Sequence, residues 1–539
     1  MSEPANTPGK AAAGMRRRAF LGGGAGVLLA AGLPGLLRAR DGAGTALARA
    51  ARAGRFRRAL PIPRVITDAD ISIPIRQARV RVLPGKRTRM WTYDGTFPGP
   101  TIRRMAGQET RVTFTHRLGR RAGELTVHLH GGHTPSDDDG QPGGLTAAQP
   151  RSLYCDISPG LSAERQGNDL LIAPGDSRTY TYPLTEAGEQ ERACFQWYHD
   201  HRLERTARNI WRGLAGMWIL DDDVDRPGGP LGLPEGPFDV PLMIADRSFD
   251  GANQLTNPFR GLRPPRDGAV GSRILVNGAH RPHLSVKPRR YRFRILNASS
   301  FRSYNLALSN GAKLTQIATE AGLMPERIRR PRILVGPGER VEVVIDFAAL
   351  RGRRVRLVSE RRTDDPRGIG TSAFRGDLME FRVASTVVED LSTVPRALRA
   401  LPDWTAGLAE SPPAKDFTWT VTVSGGISPR WLINGSTFDP DRVETQATVG
   451  EVVVWELRNR TAAAHMMHLH HTDWYLLRRN GKLPPPWERC LKETFFMDPH
   501  ERILIAGRPS DHLGKFVVHC HMLEHEDHGL MSQFEVVAP

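Results

Sequence analysis

His519-Cys520-His521, with His525 four positions on, carries the donor types of two different metal centres in one short segment. On a β-strand successive side chains point to opposite faces, so His519 and His521 project to one side and Cys520 to the other. A thiolate joined by two imidazoles is the ligand set of a blue-copper electron-transfer site, and the histidines on the opposite face can hold further copper. One strand would then connect two centres. Three His-x-His pairs accompany it: His128-Leu129-His130, His199-Asp200-His201 and His468-Leu469-His470, the last preceded by His465. On strands, each pair puts both imidazoles on one face. Ten of the 18 histidines fall in these four clusters, more than chance placement of satisfied core or surface histidines would supply. The other eight, including His133, His471, His512 and His528, read as surface groups or groups behind the ligands.

The elements that must position these residues are short alternating strands. Examples are Arg111-Val112-Thr113-Phe114-Thr115 and Arg340-Val341-Glu342-Val343-Val344-Ile345, bounded by Gly/Pro turns, the pattern of an antiparallel sandwich or barrel. Three landmarks recur. Tyr93-Asp94-Gly95 returns as Val276-Asn277-Gly278 and Ile433-Asn434-Gly435, the last two 157 residues apart. Pro174-Gly175-Asp176 returns as Pro337-Gly338-Glu339 and Pro499-His500-Glu501, at intervals of 163 and 162. A strand ending at Asn297 returns at Asn459, again 162 residues on. Near-equal spacing of three landmarks means one fold used three times. The expected domains are 60–225, 235–385 and 416–539, with 386–415 a linker containing a short helix at Arg396–Leu401. The ligands lie only in the first and third units, so a cluster built from both would sit between them, with the middle unit a spacer.

A chain of 539 residues suits three such domains. Its formal net charge is +17, but only eight of its 75 basic residues are Lys. That arginine bias comes without a nucleic-acid recognition motif. It is compatible with attraction to acidic aromatics or anionic polymers. Arg16-Arg17-Arg18-Ala19-Phe20-Leu21, a Gly-rich apolar run to Leu37 and Ala46-Leu47-Ala48 read as a twin-arginine export signal over 1–48. The apolar run is shorter than the roughly 20 residues of a membrane span, and no other segment qualifies. Export places the four cysteines in an oxidising compartment, where Cys155 and Cys194 are candidates for a disulfide that would leave Cys490 unpaired.

The motifs TVHLHGGHTPSDDDG at 126–140, WYHDH at 197–201, HMMHLHH at 465–471 and HCHMLEHEDHGLM at 519–531 resemble those of three-domain multicopper oxidases, in the spore-coat laccase and bilirubin oxidase branch. The resemblance implies an all-β fold of three consecutive cupredoxin-like Greek-key domains and four copper ions. It assigns Cys520, His465 and His525 to the type 1 copper, and His128 and His468 to type 2. His130, His199, His201, His470, His519 and His521 fall to the type 3 pair. Glu526 and Asp139 match positions that deliver protons to the cluster, while Asp137 and Asp138 read as solvated loop. Where most close relatives carry an axial Met five residues after the second type 1 histidine, this chain has Leu530. Met531, one residue later, points to the other face of a strand. Met466, His471 and Thr472 also depart from the pattern without losing a ligand. Glu493 falls where many relatives carry an acid, and is expected to border His465 at the substrate rim.

The implied activity is laccase-like: one-electron oxidation of phenols, aromatic amines or tetrapyrroles coupled to four-electron reduction of dioxygen. The implied partners are a small aromatic reductant and O2, acting outside the cytoplasm on a monomer. A metallo-oxidase of cuprous or ferrous ions is the alternative. Thioethers select Cu(I), and the 13 Met are scattered without a Met-rich run. A metal-free envelope protein of the same fold would have lost the ligands, and a copper nitrite reductase lacks four His-x-His pairs.

Overall fold

Short alternating segments become strands here because one side of each is apolar. Thr110–His116 buries Val112, Phe114 and His116 and leaves Arg111 exposed, the period-two pattern of a sheet with one covered face. The structure, a computed structural model, describes residues 56–146, 169–259, 268–361, 374–425 and 430–539. The expected leader and Cys155 lie outside the described residues. The protein is nearly all-β, 45% strand and 7% helix.

Three pairs of sheets each enclose a core. In the N-terminal pair, five strands ordered Val65–Ile66, Thr101–Met105, Ala215–Asp221, Cys194–Asp200 and Val127–His130 pack on a four-stranded sheet, with Ile73, Phe114, Leu129 and Trp218 between them. Sheets of seven and five strands close over Phe293, Tyr304, Val343 and Phe381 in the middle. Sheets of six and five close over Trp419, Trp455, Trp474 and Phe534 at the C-terminal end. No described helix is long and apolar enough to cross a membrane.

The expectation of purely antiparallel layers is corrected: the sheets are mixed. Asp70–Val80 runs parallel to Thr110–His116, Asp239–Arg247 to Arg290–Asn297, and Phe417–Val423 to Val453–Asn459. In each case the chain first visits the facing sheet, through Thr101–Met105, His283–Val286 or Gln446–Thr448, and such a crossover returns it parallel. The landmarks coincide in conformation as well. Asp94, Asn277 and Asn434 all take positive φ (51°, 46° and 49°) before their glycines, as a tight hairpin turn requires. The Asn297 N–H donates to Glu339 O at 3.1 Å and that of Asn459 to Glu501 O at 2.8 Å. In the first sandwich His116, bonded to Asp176 O at 2.8 Å, fills the same place without sequence likeness.

Arg396–Leu401 is extended, not helical. Ala397 bridges Glu326, and the Leu398 and Arg399 N–H groups donate to Pro325 and Met324; open acceptors on the neighbouring strand outweigh the high helix propensity of its Arg, Ala and Leu residues, which six residues are too few to turn into a stable helix. Two short helices, Thr206–Arg212 and Leu523–Asp527, lie against each other. The Asp527 carboxylate accepts the Thr206 and Ala207 N–H groups at 2.9 and 3.1 Å, satisfying orphan donors at a helix start and anchoring the segment that carries His525.

Candidate metal centres

Strand Gly514–Cys520 pairs with strand His465–Leu469 so that Met467 faces Cys520 and His468 faces His519. Alternation therefore sends His465 and Cys520 to one side and His468 and His519 to the other. On the first side, Cys520 Sγ lies 3.6 Å from Nδ1 of both His465 and His525, and the two Nδ1 atoms are 3.2 Å apart. Burial raises the Cys520 thiol to about 12 and lowers His465 to about 3, so without a metal both are neutral. A soft ion displaces the thiol proton and takes the imidazole lone pairs. Trp431 covers both rings, 4.9 Å from His465 and 4.6 Å from His525 between centroids, and Phe301 flanks His525. Leu530 packs in the same apolar cluster as Cys520 and Met466. Met531 lies opposite His519 and packs elsewhere, with Leu145, Leu203, Phe438 and Val517.

On the other side eight histidines from two sandwiches meet. His128 faces His199 across one sheet, and this pair of strands abuts His468, His470 and His519 of the C-terminal sandwich. Nε2 of His201 and of His470 each lie 3.3 Å from Nε2 of His519. Three all-histidine triads have donor atoms close enough to share an ion: His201, His470 and His519; His128, His468 and His470; His128, His130 and His199. A fourth joins His130 and His468 to Glu493. The His521 ring completes the group, 4.8 Å from that of His130. In four of these rings Nδ1 is tied to the protein: His128 Nδ1 to Asp139 O at 2.6 Å, His199 Nδ1 to Asp200 O at 2.9 Å, His468 Nδ1 to Glu493 O at 3.0 Å, and His470 Nδ1 to Asp139 Oδ2 at 2.6 Å. The Nε2 atoms of His128, His199 and His468 are then buried without a protein partner. That combination, one nitrogen fixed and the other offered to a common space, is how imidazoles are set to hold a metal. Burial, reinforced by neighbouring imidazoles, holds His130, His199, His468, His470 and His521 well below the usual histidine range. They stand as neutral donors. All ten imidazoles and the thiol are 2% exposed or less, and this donor set fits copper.

Residues 75–154 and 411–539 match models of the family described as multicopper oxidase. A laccase of Bacillus stratosphericus is 30% identical over 84% of this chain and 91% of its own length. The chain belongs to the multicopper oxidase family. A bilirubin oxidase of Albifimbria verrucaria is 29% identical over 82% of this chain and 72% of its own. The crystal structure of the McoA multicopper oxidase of Aquifex aeolicus superposes with a TM-score of 0.73 at 28% identity, covering 89% of this chain and 99% of that one. As a multicopper oxidase, the protein is a copper-dependent oxidoreductase that uses dioxygen.

Three carboxylates of this multicopper oxidase, Asp139, Glu493 and Glu526, lie against the inner imidazoles. Asp139, 1% exposed, bridges the His128 and His470 imidazoles through its carbonyl and carboxylate and accepts from Thr134 at 3.0 Å. Asp137 is exposed, while Asp138 is half-buried on Arg178. Glu526 Oε2 lies 3.0 Å from His519 Nδ1, and Oε1 lies 3.9 Å from His201 Nε2. Burial opposes its ionisation, but these imidazoles hold it at about 2. Glu493 is not at a substrate rim beside His465. It is 2% exposed and hydrogen-bonded to His130 Nε2 at 2.9 Å, because His465 pairs with Met497, four residues along the same stretch.

Sequence reasoning missed Arg340. It leaves the middle sandwich to grip both Glu493 oxygens, and its Nε donates to Phe195 O at 2.6 Å on the strand carrying His199. Gly338, two residues before, lies so close to the His521 ring that a Cβ there would stand 2.8 Å from it. The middle unit is therefore a wall of the cluster, not a spacer. Nor are the remaining histidines all at the surface: His133, His471 and His528 are buried. Glu191, Glu186 and Asp473 overcome burial to raise His133 to about 9. Cys194 is a buried free thiol; Cys155, its candidate partner, lies outside the described residues.

Proposed function

We propose that this multicopper oxidase is laccase-like, coupling one-electron oxidation of phenols, aromatic amines or tetrapyrroles to reduction of O2 to two waters. Cys520, His465 and His525 would hold a type 1 copper, with His128 and His468 on type 2 and His130, His199, His201, His470, His519 and His521 on the type 3 pair. Copper in these places supplies one-electron acceptance at the outer site and four-electron delivery to O2 at the inner one. The observation that carries the reading is the back-to-back strand, in which Cys520 opens on one ligand set while His519 and His521, bonded to it through the backbone, open on the other. Resemblance to proteins named laccase and bilirubin oxidase supports it.

The chain's own residues then divide the work. Trp431, Phe301 and Leu530 keep water from the outer ligands. Leu530 would stand where a thioether ligand is common, which disfavours the oxidised ion and raises the potential. Glu526 Oε2 and Asp139 Oδ2, each against a ligand imidazole, hold and pass protons toward the inner cluster. Met466, Met467 and Met522 are fully buried, so none is a surface thioether for docking Cu(I), which favours organic reductants over the metallo-oxidase alternative. We further propose three cupredoxin domains at about 60–225, 235–385 and 416–539, twin-arginine export directed by 1–48, and a monomeric mature chain.

Copper content and visible absorbance of the purified mature chain, followed by parallel steady-state kinetics on a phenol, bilirubin and Cu(I), test the reading. About four coppers per chain, blue colour and preference for the organic reductants are expected. A preference for Cu(I) would overturn it.

A further inference from the structure

Arg458, Asn459, Arg460, Asn480, His500 and Arg502 line a shallow depression of about 530 Å³. Arg460, Asn480, His500 and Arg502 are exposed. Glu456 answers part of this charge: it lies 2.5 Å from Arg458, 4.0 Å from Arg502 and 3.2 Å from Lys415. Arg460 makes no ion pair among the described residues. One carboxylate among several cations leaves the depression positive.

Its floor is hydrogen-bonded to the outer metal centre. Asn459 Oδ1 accepts from Thr461 N at 2.9 Å and from Thr461 Oγ1 at 2.8 Å, and the His500 N–H donates to Thr461 O at 3.2 Å. Thr461 Oγ1 in turn lies 2.9 Å from Nε2 of His465. His465 turns Nδ1 toward Cys520 and His525, so Nε2 is the edge that its hydrogen bond to Thr461 ties to Asn459 on the floor of the depression, while the ring itself is fully buried. Next in the chain come Ala462, exposed, and Ala463, half-buried, whose small side chains leave room for a planar ring.

We propose that this depression binds the carboxylate or sulfonate of an anionic aromatic reductant and seats its ring against the Thr461–Ala463 side of His465. This names a substrate class for the oxidase reading above and rests on it. Guanidinium forks match a carboxylate or sulfonate in geometry and charge, and the chain's positive field draws anions toward them. Each bound phenol gives one electron to the outer site and its phenolic proton to solvent. Four such events supply the four electrons, and the protons lost balance the four taken up, as O2 becomes two waters.

The test compares 4-hydroxy-3,5-dimethoxybenzoate with its methyl ester, which keeps the phenol and removes the charge. The holoenzyme is assayed as wild type and as the Arg460→Gln/Arg502→Gln double variant, with matched copper content and visible absorbance confirming folding. The ratio of kcat/KM for acid over ester should fall about five-fold in the variant, as for loss of two exposed charge pairs, and high salt should compress the wild-type ratio toward the variant's. Calorimetry with 3,5-dimethoxybenzoate, which lacks the phenol and is not oxidised, should show affinity weakened by a similar factor. A ratio that does not move overturns the proposal, as does a ratio that moves while benzoate affinity stays put, since that is steering without docking. If neither acid nor ester is oxidised, the oxidase reading falls and takes this one with it. If the ester is oxidised and the ratio is unchanged, only this one falls.

Discussion

The outer donor set, His465, Cys520 and His525, is assembled inside one sandwich and walled by Trp431, Phe301, Leu530 and Met466. The inner eight histidines come from two sandwiches, and the middle sandwich braces them through Gly338 and Arg340. Carboxylates follow the same division: Asp139, Glu493 and Glu526 all touch inner ligands. A centre that only passes electrons is best kept dry and stiff. One that must take up protons as O2 is reduced needs titratable groups at hand, and these are tolerated in the interior only when paired. The outer site should therefore respond to local packing, and the inner one to how the sandwiches are held together.

The largest effect that separates the two should come from Cys520→Ser. Blue absorbance and turnover are lost, while metal analysis still finds about three coppers per chain. Loss of the inner coppers as well would mean that the two sites are not independent. Arg340→Met should act in the reverse sense. It leaves Glu493 buried and unpaired at a cost of about 3–5 kcal/mol, so the melting temperature and inner copper content fall while the blue band persists; Arg340→Lys should recover part of the loss. A blue band that vanished with Arg340 would erase the distinction drawn here.

Glu526→Gln should slow reoxidation by O2 about 10²-fold while leaving reduction of the blue centre nearly intact, as read by stopped-flow absorbance of the two half-reactions. Equal slowing of both would remove the relay role. Asp139→Asn should slow the same half-reaction less, and it should also weaken inner copper binding by about 10-fold, because its carboxylate orients His470; dialysis against a chelator measures that. The smallest change is expected from Leu530→Met, which should lower the outer potential in a redox titration and modestly slow oxidation of poorly reducing phenols. A potential that rose or stayed put would show that Leu530 does not face the metal axis.

The two regions also differ in how far they can be read without coordinates. Donor identity is local, since His-x-His on a strand puts both rings on one face whatever surrounds it, and the four clusters are legible from spacing alone; the outer triad is legible only through resemblance to the family. The repeat is legible for a similar reason: a tight turn needs residues that tolerate positive φ, and Asn277-Gly278 and Asn434-Gly435 announce it. Leu530 and Met531 follow from period two. Glu493 was misplaced because a carboxylate's neighbours depend on strand register, which nothing in Lys492-Glu493-Thr494 specifies.

By itself, then, the sequence determined the donor types, the side of each strand on which they lie, the three-fold use of one strand pattern and the direction of the chemistry. Tertiary structure alone decided that Arg340 crosses from the middle sandwich to Glu493, that His133 and His471 are buried, that Arg396–Leu401 is extended, and that hydrogen bonds through Thr461 join His465 to Asn459 on the floor of the arginine-lined depression. The reason is physical. Periodicity and turn chemistry are carried by residues within a few positions of one another, whereas an ion pair across sandwiches joins residues far apart in the chain, 136 positions for Arg103 and Asp239 and 153 for Arg340 and Glu493. Those contacts exist only once three separate cores have packed.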